Sequence, residues 1–206
     1  MRTPTRRSFF GQMSALAATA ALLPLAGALP AAAQAPAPGA AKPAQKIDPE
    51  NTLYLETPYG RVVIALRPDL APKHVERLKL LTREGYYNNV PFHRVIDGFM
   101  AQTGDGQFGN GTGGSKYPNL PAEFSSTPFV RGTVGMARSS QPNSANSQFV
   151  ICFEPSRFLN GQYTVVGQVV SGMEFVDKLK KGSQANNGTV SNPDKIVKMQ
   201  VAADVK

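Results

Sequence analysis

From Thr52 to Val201 the chain never stays long in one pattern: short segments of alternating apolar and polar residues are cut off by Gly, Pro, Asn or Asp. Thr52 to Glu56 sets Leu53 and Leu55 against polar neighbours. Arg61 to Leu66 follows after Pro58-Tyr59-Gly60, and the two segments read as a hairpin. Further strands are expected at Val90 to Ile96, Met100 to Thr103, Thr133 to Ala137, Gln148 to Phe153, Thr164 to Val170 and Ile196 to Val201. Many short strands expose many backbone edges, and a barrel or sandwich is the architecture that hides them. The expected fold class is therefore mainly β.

Two segments have helical spacing instead. Pro72 to Glu84 carries Val75, Leu78 and either Leu81 or Leu80 on one face, opens on a proline whose missing N–H costs nothing at a helix start, and stops at Gly85. Met173 to Lys180 spaces Phe175, Val176 and Leu179 before Gly182. Each has one apolar stripe, so each is expected to cover an opening of the barrel.

The N-terminal quarter is of another kind. Arg2, Arg6 and Arg7 precede an apolar, alanine-rich run from Met13 to Leu29, and small residues from Ala31 to Ala35 offer cleavage after Ala33 or Ala35. Residues 1–33 read as a signal peptide. Thr5-Arg6-Arg7-Ser8-Phe9-Phe10 has the twin-arginine form of a leader that exports folded proteins, although a chance Arg-Arg in an ordinary secretory signal is the alternative. Pro24 interrupts the run, which argues against a permanent membrane span. Residues 34–50, rich in Ala and Pro, read as a linker, and residues 51–206 as one domain large enough for a substantial core. The expected location is the periplasm, with no stable membrane insertion after processing.

Charge and cysteine content exclude several classes. Removing the three leader arginines takes the net charge from +8 to +5, and the remaining Lys and Arg are scattered except for Lys178-Leu179-Lys180-Lys181, expected on a solvated helix face. That pattern argues against nucleic-acid binding. Cys152 is the only cysteine, so no internal disulfide is available, and its apolar neighbours suggest inert core. His74, expected at the surface, and His93, expected as a satisfied interior residue, have no metal-ligand partners at suitable spacing, so no metal and no cofactor is expected. The glycine-rich stretch Gly104 to Gly114 lacks the Gly-Lys-Ser/Thr ending and the following helix of a phosphate loop. It reads as a flexible loop.

Phe92-His93-Arg94-Val95-Ile96-Asp97-Gly98-Phe99-Met100-Ala101-Gln102-Thr103-Gly104-Asp105 sets a permanent cation among large apolar side chains. Arg94 donates hydrogen bonds but cannot act as a general base, which points away from acid-base hydrolysis. Spacing alone leaves open a structural arginine paired with a carboxylate. The run resembles the signature of the cyclophilin-type peptidyl-prolyl cis-trans isomerases, F-H-R-V-I-x-G-F-M-x-Q-x-G-D, at every fixed position. The resemblance implies a closed eight-stranded antiparallel β-barrel capped by two helices over nearly all of Thr52 to Val201. It also implies catalysis of rotation about X-Pro bonds in exported proteins, assisting their folding.

The same resemblance implies site residues. Arg94 is the catalytic donor, Phe99 and Met100 wall an apolar proline slot, and Gln102 hydrogen-bonds the substrate backbone. Arg131 to Ile151 resembles the family's R-G-x-x-x-M-A to S-Q-F-F-I stretch, which puts Ala137 and Arg138 along the peptide groove and Gln148 on the substrate. Val150 stands where an aromatic residue is usual, and Arg138 where many members have Asn. Arg157 to Gly167 is similar to W-L-D-G-x-H-x-V-F-G; Phe158 replaces the tryptophan, Leu159 keeps its place in the slot, and Tyr163 replaces the histidine. Loss of the indole N–H is expected to weaken binding of the cyclic peptide cyclosporin more than isomerisation. Apart from the motif, Phe99, Met100, Val150, Phe158 and Leu159 read as ordinary core residues. The implied partners are proline-containing peptides and unfolded or folding proteins, met by a monomer. The alternative reading is a proline-peptide-binding chaperone with little turnover, because Val150 loosens the slot; a hydrolase or metal enzyme lacks a coherent residue set.

Overall fold

The computed structural model describes residues 48–206. The expected leader and most of the expected linker lie outside those residues. Eight strands and two helices follow in the order β1 (Thr52–Thr57), β2 (Gly60–Leu66), α1 (Pro72–Arg83), β3 (Arg94–Ile96), β4 (Met100–Thr103), β5 (Thr133–Met136), β6 (Phe149–Cys152), β7 (Val165–Ser171), α2 (Met173–Asp177) and β8 (Lys198–Val201). The strands form one curled antiparallel sheet in the order β3-β4-β6-β5-β7-β2-β1-β8. Mainly β with two helices is what the sequence predicts.

Period-two alternation decides what each strand buries. Leu53, Leu55, Val62, Ile64, Val95, Ala101, Val134, Met136, Phe149 and Ile151 point into one core. A second, smaller cluster lies on the other face, where Cys152 meets Phe129, Leu159 and Val165, with Phe99 and Tyr163 packed against it. There burial pushes the Cys152 thiol up to about 11, which keeps it protonated and unreactive.

Helix α1 starts at Pro72, and Val75, Leu78 and Leu81 are at most 1% exposed. The ambiguous position resolves to Leu81, since Leu80 faces out. Its end is a Schellman turn: the Tyr86 N–H donates to the Leu81 carbonyl, the Gly85 N–H to that of Thr82, and Gly85 takes φ 71°. Helix α2 ends at Asp177, earlier than expected. The Lys180 N–H turns to the Asp194 carboxylate and the Gly182 N–H to the Val95 carbonyl, so neither continues the helical ladder. Lys178 to Lys181 consequently follows the helix rather than lying in it. Phe175 of α2 presses on Gly60, where any side chain would collide with its ring.

The strand expected at Val90 to Ile96 is in the sheet only from Arg94. Asn89 takes φ 63° and Pro91 has no N–H, so the preceding residues pair irregularly. They bond to the segment that leads into β8: Asn89 N–H to Ile196 O, Phe92 N–H to Asp194 O, Val190 N–H to His93 O and Val95 N–H to Gly188 O. The last strand likewise begins at Lys198 rather than Ile196, because Ile196 is engaged in these bridges. No helix among the described residues is long and apolar enough to cross a membrane.

Candidate active site

Three strands align the central polar residues. In the antiparallel register Arg94 of β3 lies opposite Gln102 of β4, and Gln102 opposite Val150 of β6. Directly paired residues share a face, so the three form one row on the outer face of the sheet, while Val95, Ala101 and Ile151 beside them point into the core. The next row on that face pairs Met100 with Cys152, both buried under the smaller cluster. The polar row thus borders an apolar floor.

Hydrogen bonds run along the row and past its end. The Arg94 Nε–H donates to the Asn187 carbonyl at 2.9 Å, Nη2 to Asn187 Oδ1 at 2.8 Å, and Nη1 to Gln102 Oε1 at 3.2 Å. Gln102 Nε2 donates to Gln148 Oε1 at 3.0 Å, and Gln148 Nε2 to the carbonyls of Gly111 and Gly113 at 2.9 and 2.8 Å. A guanidinium has five N–H groups. One on Nη1 and one on Nη2 have no partner among the described residues. Burial holds the guanidinium below the ordinary arginine value, yet it stays protonated at neutral pH.

The glycine-rich stretch is built, not flexible, which corrects the sequence expectation. Asp105, fully buried, accepts backbone N–H bonds from Gln107, Phe108, Asn110, Gly111 and Gly113. Burial alone would raise its pKa, but these donors bring it down to about 2. Gly111 to Gly114 of the loop border the groove. A cavity of about 650 Å³ opens there, lined by Gln102, Ala137, Arg138, Ser139, Asn146 and Gln148 among others.

Ala137 follows β5 and bonds to the Gln148 carbonyl through its N–H at 2.9 Å. The Arg138 guanidinium donates to the Gln162, Ser139 and Ser140 carbonyls and lies 4.4 Å from the Tyr163 ring centroid. The apolar candidates lie beside the cavity rather than lining it. Phe99, Leu159 and Tyr163 pack on the second cluster, Val150 is half-buried in the polar row, and Met100 is floor at 1% exposure. Phe158 is 69% exposed, its ring 5.2 Å from that of Phe99. Six apolar or aromatic candidates and five polar or groove-lining ones therefore share the outer face of the sheet.

Both histidine expectations need correction. His74 is fully buried, because Glu123 reaches over from a distant loop: its carboxylate takes His74 Nδ1 at 2.6 Å and the N–H groups of Lys73 and His74 at 3.1 Å. His93 is interior, but neither ring nitrogen has a partner among the described residues. No group of three or more His, Cys, Asp or Glu suited to a metal occurs among the described residues.

Asn187 is the site residue that sequence reasoning missed. It holds φ 51°, and its signal in the sequence is the Asn187-Gly188 pair, which favours a left-handed residue but says nothing of an arginine partner.

A family model described as cyclophilin type peptidyl-prolyl cis-trans isomerase matches residues 52–201. A probable peptidyl-prolyl cis-trans isomerase of Brucella suis is 65% identical over 178 residues, covering 82% of this chain and 91% of the relative. The isomerase cypE of Dictyostelium discoideum is 37% identical over 153 residues, covering 72% of this chain and 96% of the relative. Among solved structures, a cyclophilin from Hirschia baltica aligns with a TM-score of 0.70 at 27% identity, covering 78% of this chain and 77% of that one. A cyclophilin-type isomerase of Cryptosporidium parvum, crystallised in the presence of the dipeptide Ala-Pro, aligns at 0.67 with 27% identity, covering 73% and 98%.

Proposed function

The chain belongs to the cyclophilin-type peptidyl-prolyl cis-trans isomerases, and from that premise we propose that the row of Arg94, Gln102 and Val150 is where an X-Pro bond turns. The observation that carries this reading is the Arg94 guanidinium, held by Asn187 and Gln102 with two N–H groups to spare.

Rotation about a prolyl amide breaks the resonance between nitrogen and carbonyl, over a barrier of about 18–20 kcal/mol, and takes tens of seconds unaided. Turnover in milliseconds needs a rate about 10⁴- to 10⁵-fold higher, which is roughly 6–7 kcal/mol. At the twisted geometry the nitrogen becomes pyramidal and regains its lone pair. A donor aimed at that lone pair binds the transition state better than either planar isomer. Arg94 supplies the donor, Gln102 and Gln148 bond the substrate backbone, and Ala137 and Arg138 border the peptide. Phe99, Met100, Val150, Phe158, Leu159 and Tyr163 form the slot for the proline ring. Crystallisation of the Cryptosporidium relative in the presence of Ala-Pro supports such a ligand here.

The bridges between the Asn89 to Val95 segment and the Gly188 to Ile196 segment support closure of the curled sheet into a barrel. The basic, apolar leader and its Ala-Pro-rich successor support export to the periplasm and a folding role there.

The test is cis-trans exchange of a proline peptide measured by NMR. The enzyme speeds exchange, and Arg94→Ala loses about 10²- to 10³-fold, the usual cost of one transition-state donor, while its thermal transition persists. Equal exchange in the variant would overturn the role of Arg94. A chaperone without turnover, the reading that Val150 favours, suppresses aggregation but leaves exchange unchanged.

A further inference from the structure

The cavity beside the polar row carries a charge that the protein does not neutralise. Arg138 lines it together with Gln102, Ser139, Asn146 and Gln148, and no carboxylate is part of its wall. The guanidinium is fixed: Nε and Nη2 donate to the Gln162 carbonyl at 3.1 and 2.9 Å, and Nη1 to the Ser139 and Ser140 carbonyls at 2.8 and 3.3 Å. Its Cζ lies over the Tyr163 ring at 4.4 Å from the centroid and over the Phe124 ring at 5.9 Å. Neutral carbonyls and aromatic faces orient a cation without cancelling its charge.

The carboxylates of the neighbourhood are committed elsewhere. Asp105 is buried beneath the glycine loop and holds five backbone N–H groups. Glu84, which does not line the cavity, is paired with Lys116 and with the hydroxyl of Tyr117, and Glu123 with His74 at the start of α1. Arg94, at the other end of the Gln102 and Gln148 relay, adds a second positive charge with no acidic partner among the described residues. Arg138 is therefore the one charged side chain among the residues that line the cavity, which faces any peptide whose proline occupies the slot.

We propose that this enzyme selects proline segments carrying an acidic side chain within two residues of the proline, and that Arg138 is the residue that reads it. The inference rests on the isomerase reading above and adds its substrate class. A carboxylate entering the cavity meets the pre-oriented guanidinium, which keeps one Nη2 N–H to spare, whereas a lysine meets like charge. Because Arg138 is partly open to solvent, the gain is that of an exposed charge pair, about two- to five-fold in kcat/KM.

The experiment uses the mature protein and capped proline peptides with Glu, Gln or Lys placed two residues before or two residues after the proline, read by NMR exchange. The expected order is Glu, then Gln, then Lys in at least one placement. Arg138→Gln brings the ratio of Glu to Gln close to one, Arg138→Lys retains part of it, and about 1 M salt, where the Debye length is about 3 Å, erases it. Equal rates for Glu and Gln in both placements overturn the proposal, as does a Glu preference that survives in Arg138→Gln. Failure to accelerate any peptide overturns the isomerase reading beneath it, so the two failures are told apart.

Discussion

Asn187 grips the Arg94 guanidinium twice, through its carbonyl at 2.9 Å from Nε and its side-chain oxygen at 2.8 Å from Nη2. Both contacts depend on a left-handed backbone, φ 51°, that Asn and Gly adopt more readily than other residues. Asn187→Gly keeps the backbone and its carbonyl but loses the side-chain acceptor. A hydrogen bond to a charged group in a half-buried site is worth about 1 kcal/mol, so kcat is expected to fall about five-fold with KM nearly unchanged. Asn187→Ala should in addition lower stability by about 1 kcal/mol through its strained φ. Exchange kinetics and thermal unfolding of both variants separate the two effects.

Asp105 organises the loop whose carbonyls hold Gln148. Its folded pKa of about 2, against an ordinary 3.8, means that the unfolded chain takes up a proton here before the native one does. Stability from this group is therefore present above about pH 4 and lost as pH falls through about 2, and the shift amounts to about 2 kcal/mol. Asp105→Asn is expected to lose roughly that much at pH 7 and to show a flatter decline between pH 4 and 2. Urea unfolding across that range measures it. A looser loop also predicts a raised KM, since Gly111 and Gly113 no longer fix Gln148.

What the sequence made legible follows from the range of the interactions. The family signature brings Arg94 and Gln102 into one site because it carries both within nine residues, whereas the register that sets Val150 beside them joins strands distant in the chain and only the fold supplies it. Helix α1 was readable up to the choice between Leu80 and Leu81, which only the packing partner decides. His74 was misread as a surface residue because its partner Glu123 lies 49 residues away. The glycine loop was misread as flexible because composition does not reveal that one carboxylate, Asp105, collects its N–H groups. Helix α2 was drawn too long because the competing acceptors, Asp194 and Val95, come from other parts of the chain.

The buried His74 and Glu123 pair makes a second acid-sensitive point at neutral rather than low pH. Burial holds the His74 imidazole below its ordinary 6.5, opposed by the Glu123 carboxylate, with Arg77 adding a further lowering. The folded chain thus keeps His74 neutral where the unfolded chain protonates it. Stability is complete above about 6.5 and declines as pH falls below it. In His74→Gln the decline between pH 7 and 5 should shrink, although the variant is less stable at pH 7 for want of the close contact with Glu123. Unfolding midpoints in urea at three pH values within that window show whether the slope follows the imidazole.

Phe158 and Phe99 set the apolar rim, their ring centroids 5.2 Å apart at 48°. Phe158 is 69% exposed, so enlarging it to Trp meets solvent rather than packed atoms and should cost little stability. The new indole N–H offers a donor to a peptide carbonyl lying across the rim, worth about 0.5–1.5 kcal/mol. Cyclosporin affinity is expected to rise about two- to ten-fold in Phe158→Trp, whereas proline exchange should change less than about two-fold, because the ring slot needs only apolar surface. Titration calorimetry with cyclosporin, run beside NMR exchange on one proline peptide, compares the two. A parallel rise in both would mean that the rim donor acts on the transition state, and the division between the Arg94 row and the apolar slot would have to be redrawn.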